Sequence, residues 1–359
     1  MILMTLENLV KEALSLSRMD NGTPIVSVPL LSHEAEKNTR GGNPDILVIG
    51  IGTAGTRIVQ RLNQLAGPEL RTLTIISNRR SLKGRSTSSH FTLKSSYFSG
   101  GFGLCGGDPD LAERYSEATK KARPDIEALV GNPGFCFIVA GMGGNMGTGA
   151  APVIAHMMRE RGAVVTVIVT RPFHLERQRI IRAEQGIRKL SDVAHTLLIL
   201  DFERLKSVLP AVKVLLQQFS VMNHIIALTI HNIWESTYCE SFENFDPKDL
   251  HFLLERGTTG TLLVGEFDRN DKEDRRSLNE IQVPLMDFPA HKVKGCILHI
   301  TAGNDIDLFD TGQIAEGLSM PFDFHVDVIW GTTIRKEMEG KVRVFTIVTR
   351  FHDEIREAK

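Results

Sequence analysis

Cysteine is scarce in this 359-residue chain, and so is any excess of one charge. The four cysteines, Cys105, Cys136, Cys239 and Cys296, lie far apart without a CxxC pair. That excludes a disulfide frame or a zinc knuckle and implies a reducing compartment. Lys and Arg number 42 against 43 Asp and Glu, a formal net charge of -1. No overall basic field therefore draws in nucleic acid or anionic lipid. No apolar run approaches the roughly 20 residues that span a bilayer. Met1 to Met4 lacks a basic leader and runs into Glu7, so the expectation is a cytoplasmic protein without a signal peptide. The 12 histidines include no HExxH and no paired ligand spacing, and no GxSxG elbow occurs. Metalloprotease and serine-hydrolase chemistry are excluded, and no protein-built metal site is expected.

Glycine, by contrast, is plentiful and clustered. Ala140 to Pro152 sets Gly141, Gly143, Gly144, Gly147 and Gly149 between an apolar run, Phe135 to Val139, and a helical stretch, Val153 to Arg161. Such a run turns backbone N–H groups toward one point with a helix N-terminus behind them, the makings of a phosphate cradle. No Lys follows the glycines, so this is not the P-loop. Upstream, the strand Ile46 to Ile49 leads through Gly50-Ile-Gly52-Thr53-Ala54-Gly55 into a helix over Thr56 to Leu65. This has the form of a dinucleotide fingerprint, but the next strand, Leu73 to Ile76, ends in Ser77-Asn78-Arg79-Arg80 without the ribose-binding acid. That disfavours NAD and leaves an NADP-dependent oxidoreductase as a weaker alternative. A third glycine stretch, Gly100 to Gly107, feeds a helix capped by Asp108 and Pro109. Three glycine loops each feeding a helix point to a polyphosphate ligand.

Strand and helix alternate onward. Ala163 to Thr170 is a β-branched run suited to a parallel strand buried on both faces, followed by a helix over Arg177 to Leu190 and a strand over Thr196 to Leu200. The fold class expected is α/β: a doubly wound, mostly parallel sheet, then a long central helix, then a smaller α+β region. The expected division is an N-terminal extension with a short helix at 1–40, a nucleotide-binding domain at 41–209, a connecting helix at 210–241 and a C-terminal domain at 242–359. Leu6, Leu9, Val10, Ala13 and Leu14 fall at helical spacing in the extension, which suits packing on the body or on a partner.

Within the connecting helix, Phe219 and Asn223 lie one turn apart. They are either core plus a satisfied polar residue, or a stacking and hydrogen-bonding pair for a base. Asp246-Pro247-Lys248-Asp249 makes a well-formed helix start, with Asp246 as cap. The same two carboxylates on an exposed loop are also able to orient a water and bind a cation near a phosphate. Strands are expected over Thr261 to Val264, Cys296 to Thr301, Asp323 to Trp330 and Lys341 to Phe351, with a helix over Gly312 to Leu318.

Taken in order, these segments resemble the FtsZ/tubulin superfamily, FtsZ more than tubulin, over residues 45–351. The resemblance rests on Ala140 to Pro152, Thr170-Arg-Pro-Phe173 with Ala183-Glu-Gln-Gly186, Asn244 to Leu250, and Ile300 to Asp305. It implies a GTP/GDP-binding cytoskeletal protein of cell division or cell shape. Subunits would assemble head to tail and hydrolyse GTP at a site shared by neighbours, with Mg2+ held mainly by the nucleotide phosphates. Carried over by motif, the phosphate-binding positions are Gly50, Gly52, Thr53, Ala54, Gly106, Gly107, Gly143, Gly144, Asn145, Met146, Gly147, Thr148 and Gly149. Glu176 and Arg179 match ribose and phosphate positions, in a segment one residue shorter than the family's. Phe219 and Asn223 match the guanine-binding pair, and Asp246 and Asp249 the catalytic acids given to the next subunit. The implied partners are copies of this chain or another FtsZ-family protein, with no direct nucleic acid and a membrane only through an unidentified adaptor.

Departures accompany the match. Asn145 and Met146 interrupt the family's glycine loop, Thr53 and Ala54 replace glycines, and Phe202 replaces a polar base-reading residue; the expectation is a protein without the family's C-terminal adaptor-binding tail. These imply a divergent paralogue with altered affinity or slow turnover. A regulatory nucleotide-binding paralogue that copolymerises with another FtsZ is the second reading.

Overall fold

The computed structural model describes residues 6–19, 46–66, 69–77, 89–98, 111–209, 212, 214–269, 282–323 and 325–351. An N-terminal helix α1 (Glu7–Met19) precedes alternating β1 (Ile46–Ile51), α2 (Gly52–Ala66), β2 (Arg71–Ile76) and β3 (His90–Thr92). Then come α3 (Leu111–Lys121), α4 (Arg123–Val130), β4 (Phe135–Gly141), α5 (Asn145–Glu160), β5 (Val164–Arg171), α6 (Arg177–Ser191) and β6 (Thr196–Asp201). Next are α7 (Phe202–Val208), the long α8 (Leu215–Tyr238), α9 (Pro247–Arg256) and β7 (Gly257–Asp268). β8 (Val283–Pro284), β9 (Gly295–Ala302), α10 (Leu308–Ser319), β10 (Asp327–Ile334) and β11 (Lys341–Phe351) complete the described chain.

The strands form one sheet ordered β10-β9-β11-β7-β6-β5-β4-β1-β2-β3, with β8 on β7. From β6 to β3 every pairing is parallel. β1 is buried at all six positions and β5 at seven of eight, because helices cover both faces of a parallel sheet. Leu9, Ile58, Ile225 and Leu253 build the core on one face, from α1, α2, α8 and α9. Tyr115, Ile126, Ile154 and Leu190 build the other, from α3 to α6. β7 joins β6 through only Leu197–Thr259 and Leu198–Gly260, and on its other side pairs antiparallel with β11. The narrow seam is covered by α8, 17 of whose 24 residues are buried. A helix of that length spans about 36 Å.

Two expectations are corrected. α5 starts at Asn145, not at Val153: the second half of the glycine loop is itself helix, with Pro152 inside it. The tight fit explains the composition, since a Cβ on Gly147 would meet the Gly141 carbonyl oxygen at 2.3 Å and one on Gly149 the Ala112 oxygen at 2.0 Å. The helix α7 was not expected. It is fixed by Asp201, whose carboxylate accepts the Glu203 N–H at 2.8 Å, a side-chain cap. The expected cap of α9 is present: Asp246 accepts the Lys248 N–H at 2.7 Å, with Pro247 opening the helix.

Candidate nucleotide site

The C-terminal edge of the parallel strands collects most of the expected residues. β1 passes into α2 at Gly52, whose φ of 69° suits glycine. Gly50, inside β1, and Gly55, in α2, stand back to back: a Cβ on Gly50 would meet the Gly55 oxygen at 2.5 Å. Gly50 is therefore needed for packing, while Thr53 is exposed at the helix start. From β4, Gly143 (φ 81°) and Gly144 lead into α5. A Cβ on Gly52 would lie 3.7 Å from that of Met146, so the N-termini of α2 and α5 stand side by side. First-turn N–H groups and two helix dipoles converge there, an arrangement whose partial positive charge suits an anion.

Within this loop Thr148 Oγ1 accepts the Gly143 N–H at 2.9 Å and steadies the turn. Met146 is 9% exposed and lies in the hydrophobic core beneath the loop, so its side chain does not occupy the phosphate side. Gly144 is exposed, and a Cβ there would find nothing nearer than the Gly141 oxygen at 3.8 Å. Ala54 is half-buried and touches the loop: a Cβ on Gly141 would come 3.0 Å from its methyl. Gly106 and Gly107 lie outside the described residues.

α6 closes the loop from the side. A Cβ on Gly143 would meet the Arg179 carbonyl oxygen at 2.7 Å, so residue 143 must be glycine for α6 to approach. Glu176 forms an ion pair with Arg179 and also accepts the Phe173 N–H at 3.3 Å. Arg182 donates to Asn145 Oδ1 at 2.5 Å. At the start of α8, Phe219 is half-buried and meets Phe202 edge-on at 4.9 Å between centroids; Phe202 in turn stacks on Phe173 at 5.1 Å. Asn223 is half-buried one turn along. Phe202 thus belongs to an aromatic cluster that steadies Phe219. Phe173, Thr148 as a loop brace and Arg182 were missed from sequence, because their partners are set by the fold rather than by local spacing.

Asp246 and Asp249 lie at the opposite edge. Helix α9, which starts with them, sits below the N-terminal ends of the strands. Its His251 ring meets Phe135, the first residue of β4, at 5.7 Å, and its Leu254 carbonyl accepts from Thr196, the first residue of β6, at 2.6 Å. Both aspartates are exposed, and Asp249 makes no hydrogen bond or ion pair to a described residue. One molecule therefore carries the paired helix N-termini at one edge of the sheet and the two aspartates at the other. Among the described residues no group of three His, Cys, Asp or Glu side chains is placed to hold a metal, and no helix is long and apolar enough to cross a membrane.

Residues 45–210 match the model of the Tubulin/FtsZ family GTPase domain, and residues 258–352 that of the FtsZ family C-terminal domain. The cell division protein FtsZ 2 of Halobacterium salinarum is 35% identical over 308 residues, covering 86% of this chain and 77% of the relative. The chain belongs to the tubulin/FtsZ family of GTPases. FtsZ 2 of Methanocaldococcus jannaschii is 32% identical over 311 residues, covering 86% and 80%. Among solved structures, the empty FtsZ dimer of M. jannaschii superposes with a TM-score of 0.76 at 26% identity, covering 85% and 87%. CetZ2 from Haloferax volcanii, 17% identical over 86% and 94%, shares the fold at a TM-score of 0.68. Gly50 to Gly55 lies within the matched GTPase domain, which replaces the dinucleotide-fold reading of that stretch.

Proposed function

We propose that this FtsZ-family GTPase assembles head to tail, each nucleotide pocket being completed by Asp246 and Asp249 of the next subunit. The observation that carries this reading is polarity: the converging helix N-termini and the paired acids occupy opposite edges of one sheet. No single chain brings them together, whereas head-to-tail stacking does, and a heterologous contact of that kind propagates a filament.

In this reading residues 41–209 bind the nucleotide, 210–241 connect and 242–359 carry the acids. N–H groups of Gly52 to Ala54 and of Gly144 to Gly147, with Gly106 and Gly107, receive the phosphates, while Gly143, Thr148 and Gly149 shape the turn behind them. Arg179, balanced by Glu176, borders the ribose and phosphates. Phe219 presents its ring to guanine, and Asn223 hydrogen-bonds the base edge. Across the contact, Asp249 orients the attacking water and takes its proton, while Asp246 holds the start of α9 in place. Mg2+, when bound with the nucleotide, would be held mainly by the phosphates at the glycine cradle and would supply neutralisation of their charge. The partner is a copy of this chain or another FtsZ-family protein. The setting is cytoplasmic, in division or shape control, with no direct nucleic-acid contact and any membrane link through an adaptor.

Asp249→Ala is the cleaner test, because Asp246 also caps α9 and its loss would cost about 1 kcal/mol of stability. GTP turnover should fall at least about 100-fold, the usual worth of a general base. Affinity for GTP, measured by fluorescence titration, should stay unchanged. Wild-type turnover in Asp249→Ala would overturn the shared site.

A further inference from the structure

Three arginines flank the Gly143 to Gly149 loop, and their charges are treated differently. Arg171, at the end of β5, pairs with Glu184. Arg179 pairs with Glu176. Arg182 is held by neutral groups alone: its Nη1 donates to Asn145 Oδ1 at 2.5 Å and its Nε to the Gln178 carbonyl at 3.4 Å. No carboxylate pairs with Arg182 among the described residues, and its Nη2 donors have no partner there.

Asn145 is the first residue of α5, directly after the exposed Gly144. Its amide oxygen fixes the guanidinium beside the loop without neutralising it. An uncompensated cation next to the positive end of a helix is unfavourable unless an anion completes the arrangement. Asn145 departs from the run of glycines expected in this loop, so the residue that interrupts the run is also the one that anchors the arginine. A guanidinium has five donors in a fixed fork, and the two already used leave a face suited to phosphate oxygens.

We propose that Arg182, positioned by Asn145, contacts the terminal phosphate and makes this pocket favour GTP over GDP. The proposal rests on the reading of the loop as the guanine-nucleotide site. GTP carries one more phosphate than GDP, so a cation aimed at that group adds affinity for one nucleotide and little for the other. Arg182 then acts from within the same chain, complementing the acids supplied by the neighbour.

The test is titration of GTP and GDP, each with Mg2+, against the wild-type chain and the variants Arg182→Ala, Arg182→Lys and Asn145→Ala, with circular dichroism and melting to confirm folding. Arg182→Ala should weaken GTP about 10-fold or more, the worth of a charge-assisted hydrogen bond, while GDP stays within about twofold. Arg182→Lys should recover part of the difference, since it keeps the charge but loses the fork. Asn145→Ala should give an intermediate loss confined to GTP. Equal weakening of GTP and GDP would reduce Arg182 to a structural tie between α6 and the loop and overturn the proposal, as would no change in either. Should Arg182→Ala misfold, the GTP-to-GDP ratio of Arg182→Lys decides by the same criterion. Failure of the wild-type chain to bind either nucleotide would show before any variant is measured, and would overturn the nucleotide-site reading itself.

Discussion

Gly144 is the residue at which stability and ligand binding separate most cleanly. It is the N-cap of α5 at φ -80°, a conformation open to any residue, and its missing side chain has free space. Asp there would accept from the first-turn N–H groups, the same donors proposed for phosphate, and would add a negative charge at the point of contact. Gly144→Asp should keep its melting temperature, because replacing a Gly cap changes stability by only about a few tenths of a kcal/mol. It should also lose GTP binding by at least about 100-fold in a fluorescence titration, as one charge-assisted contact is replaced by repulsion. Tight GTP binding by this variant would place the phosphates elsewhere. The clustering of glycines at helix starts was legible in the sequence, but the division of labour within it was not. Gly50, Gly147 and Gly149 are small because neighbouring backbone lies against them, a fact that only the packed structure supplies. Met146 interrupts the glycine loop, and its side chain fills the core.

The N-terminal helix shows how little of a tertiary network is visible locally. The spacing of Leu6, Leu9 and Ala13 gave the helix and its buried face. On its polar side Glu12 joins two distant elements. Glu12 faces His224 of α8 at 3.4 Å and binds Arg343 of β11 at 2.9 Å, while Arg343 also binds Glu266 of β7 at 2.9 Å. Asn8 donates to the same Glu266, and the Ala13 carbonyl accepts from Ser220 of α8 at 3.1 Å. Helix α1 thus clasps α8 to the strands beyond the seam. Burial raises the Glu12 pKa, but the neighbouring His224 and the charge of Arg343 outweigh it and hold the value at about 2. Glu12→Ala removes the carboxylate that faces His224 and leaves Arg343 with one partner, Glu266. Breaking a buried pair costs about 3–5 kcal/mol, and the partial exposure of Glu12 reduces that here to about 2 kcal/mol. A lower urea midpoint with unchanged slope is the expected result; an unchanged midpoint would show that α1 only rests on the surface. Glu12 and Arg343 are 331 residues apart, beyond the reach of periodicity or motif.

Across the whole molecule, α8 runs from the aromatic cluster at the nucleotide pole to the loop that carries Asp246, and it is packed against the strands beyond the seam by groups that titrate. His299 of β9 is buried, with Thr333 Oγ1 at 3.1 Å. Its pKa is lowered to about 3 by burial and by His231 and Arg335 nearby. Burial also lowers the pKa of His224. A histidine held neutral in the fold but titrating near 6.5 when unfolded contributes stability that is full above about pH 6.5 and falls with pH toward the folded value. Glu12 acts in the same direction over a lower window, from 4.5 down to about 2. Stability should therefore drop between pH 6.5 and 4, by up to about 1.4 kcal/mol per pH unit for each buried neutral histidine. Urea titrations across that range should show a shallower slope for His299→Gln than for the wild-type chain. The alternation of strands and helices, and hence the doubly wound sheet, was legible because periodicity is local. The opposition of the two poles was not, because it depends on α9 folding back beneath the start of β4 and β6. The most direct test of a site shared across that opposition is to mix two damaged chains. Gly144→Asp keeps its acids but lacks a phosphate cradle, and Asp249→Ala keeps the cradle but lacks its acid. Each alone should hydrolyse little GTP, and a 1:1 mixture should recover turnover at pockets where an intact cradle meets an intact Asp249. A mixture no faster than the sum of its parts, or an Asp249→Ala chain active by itself, would contradict the account.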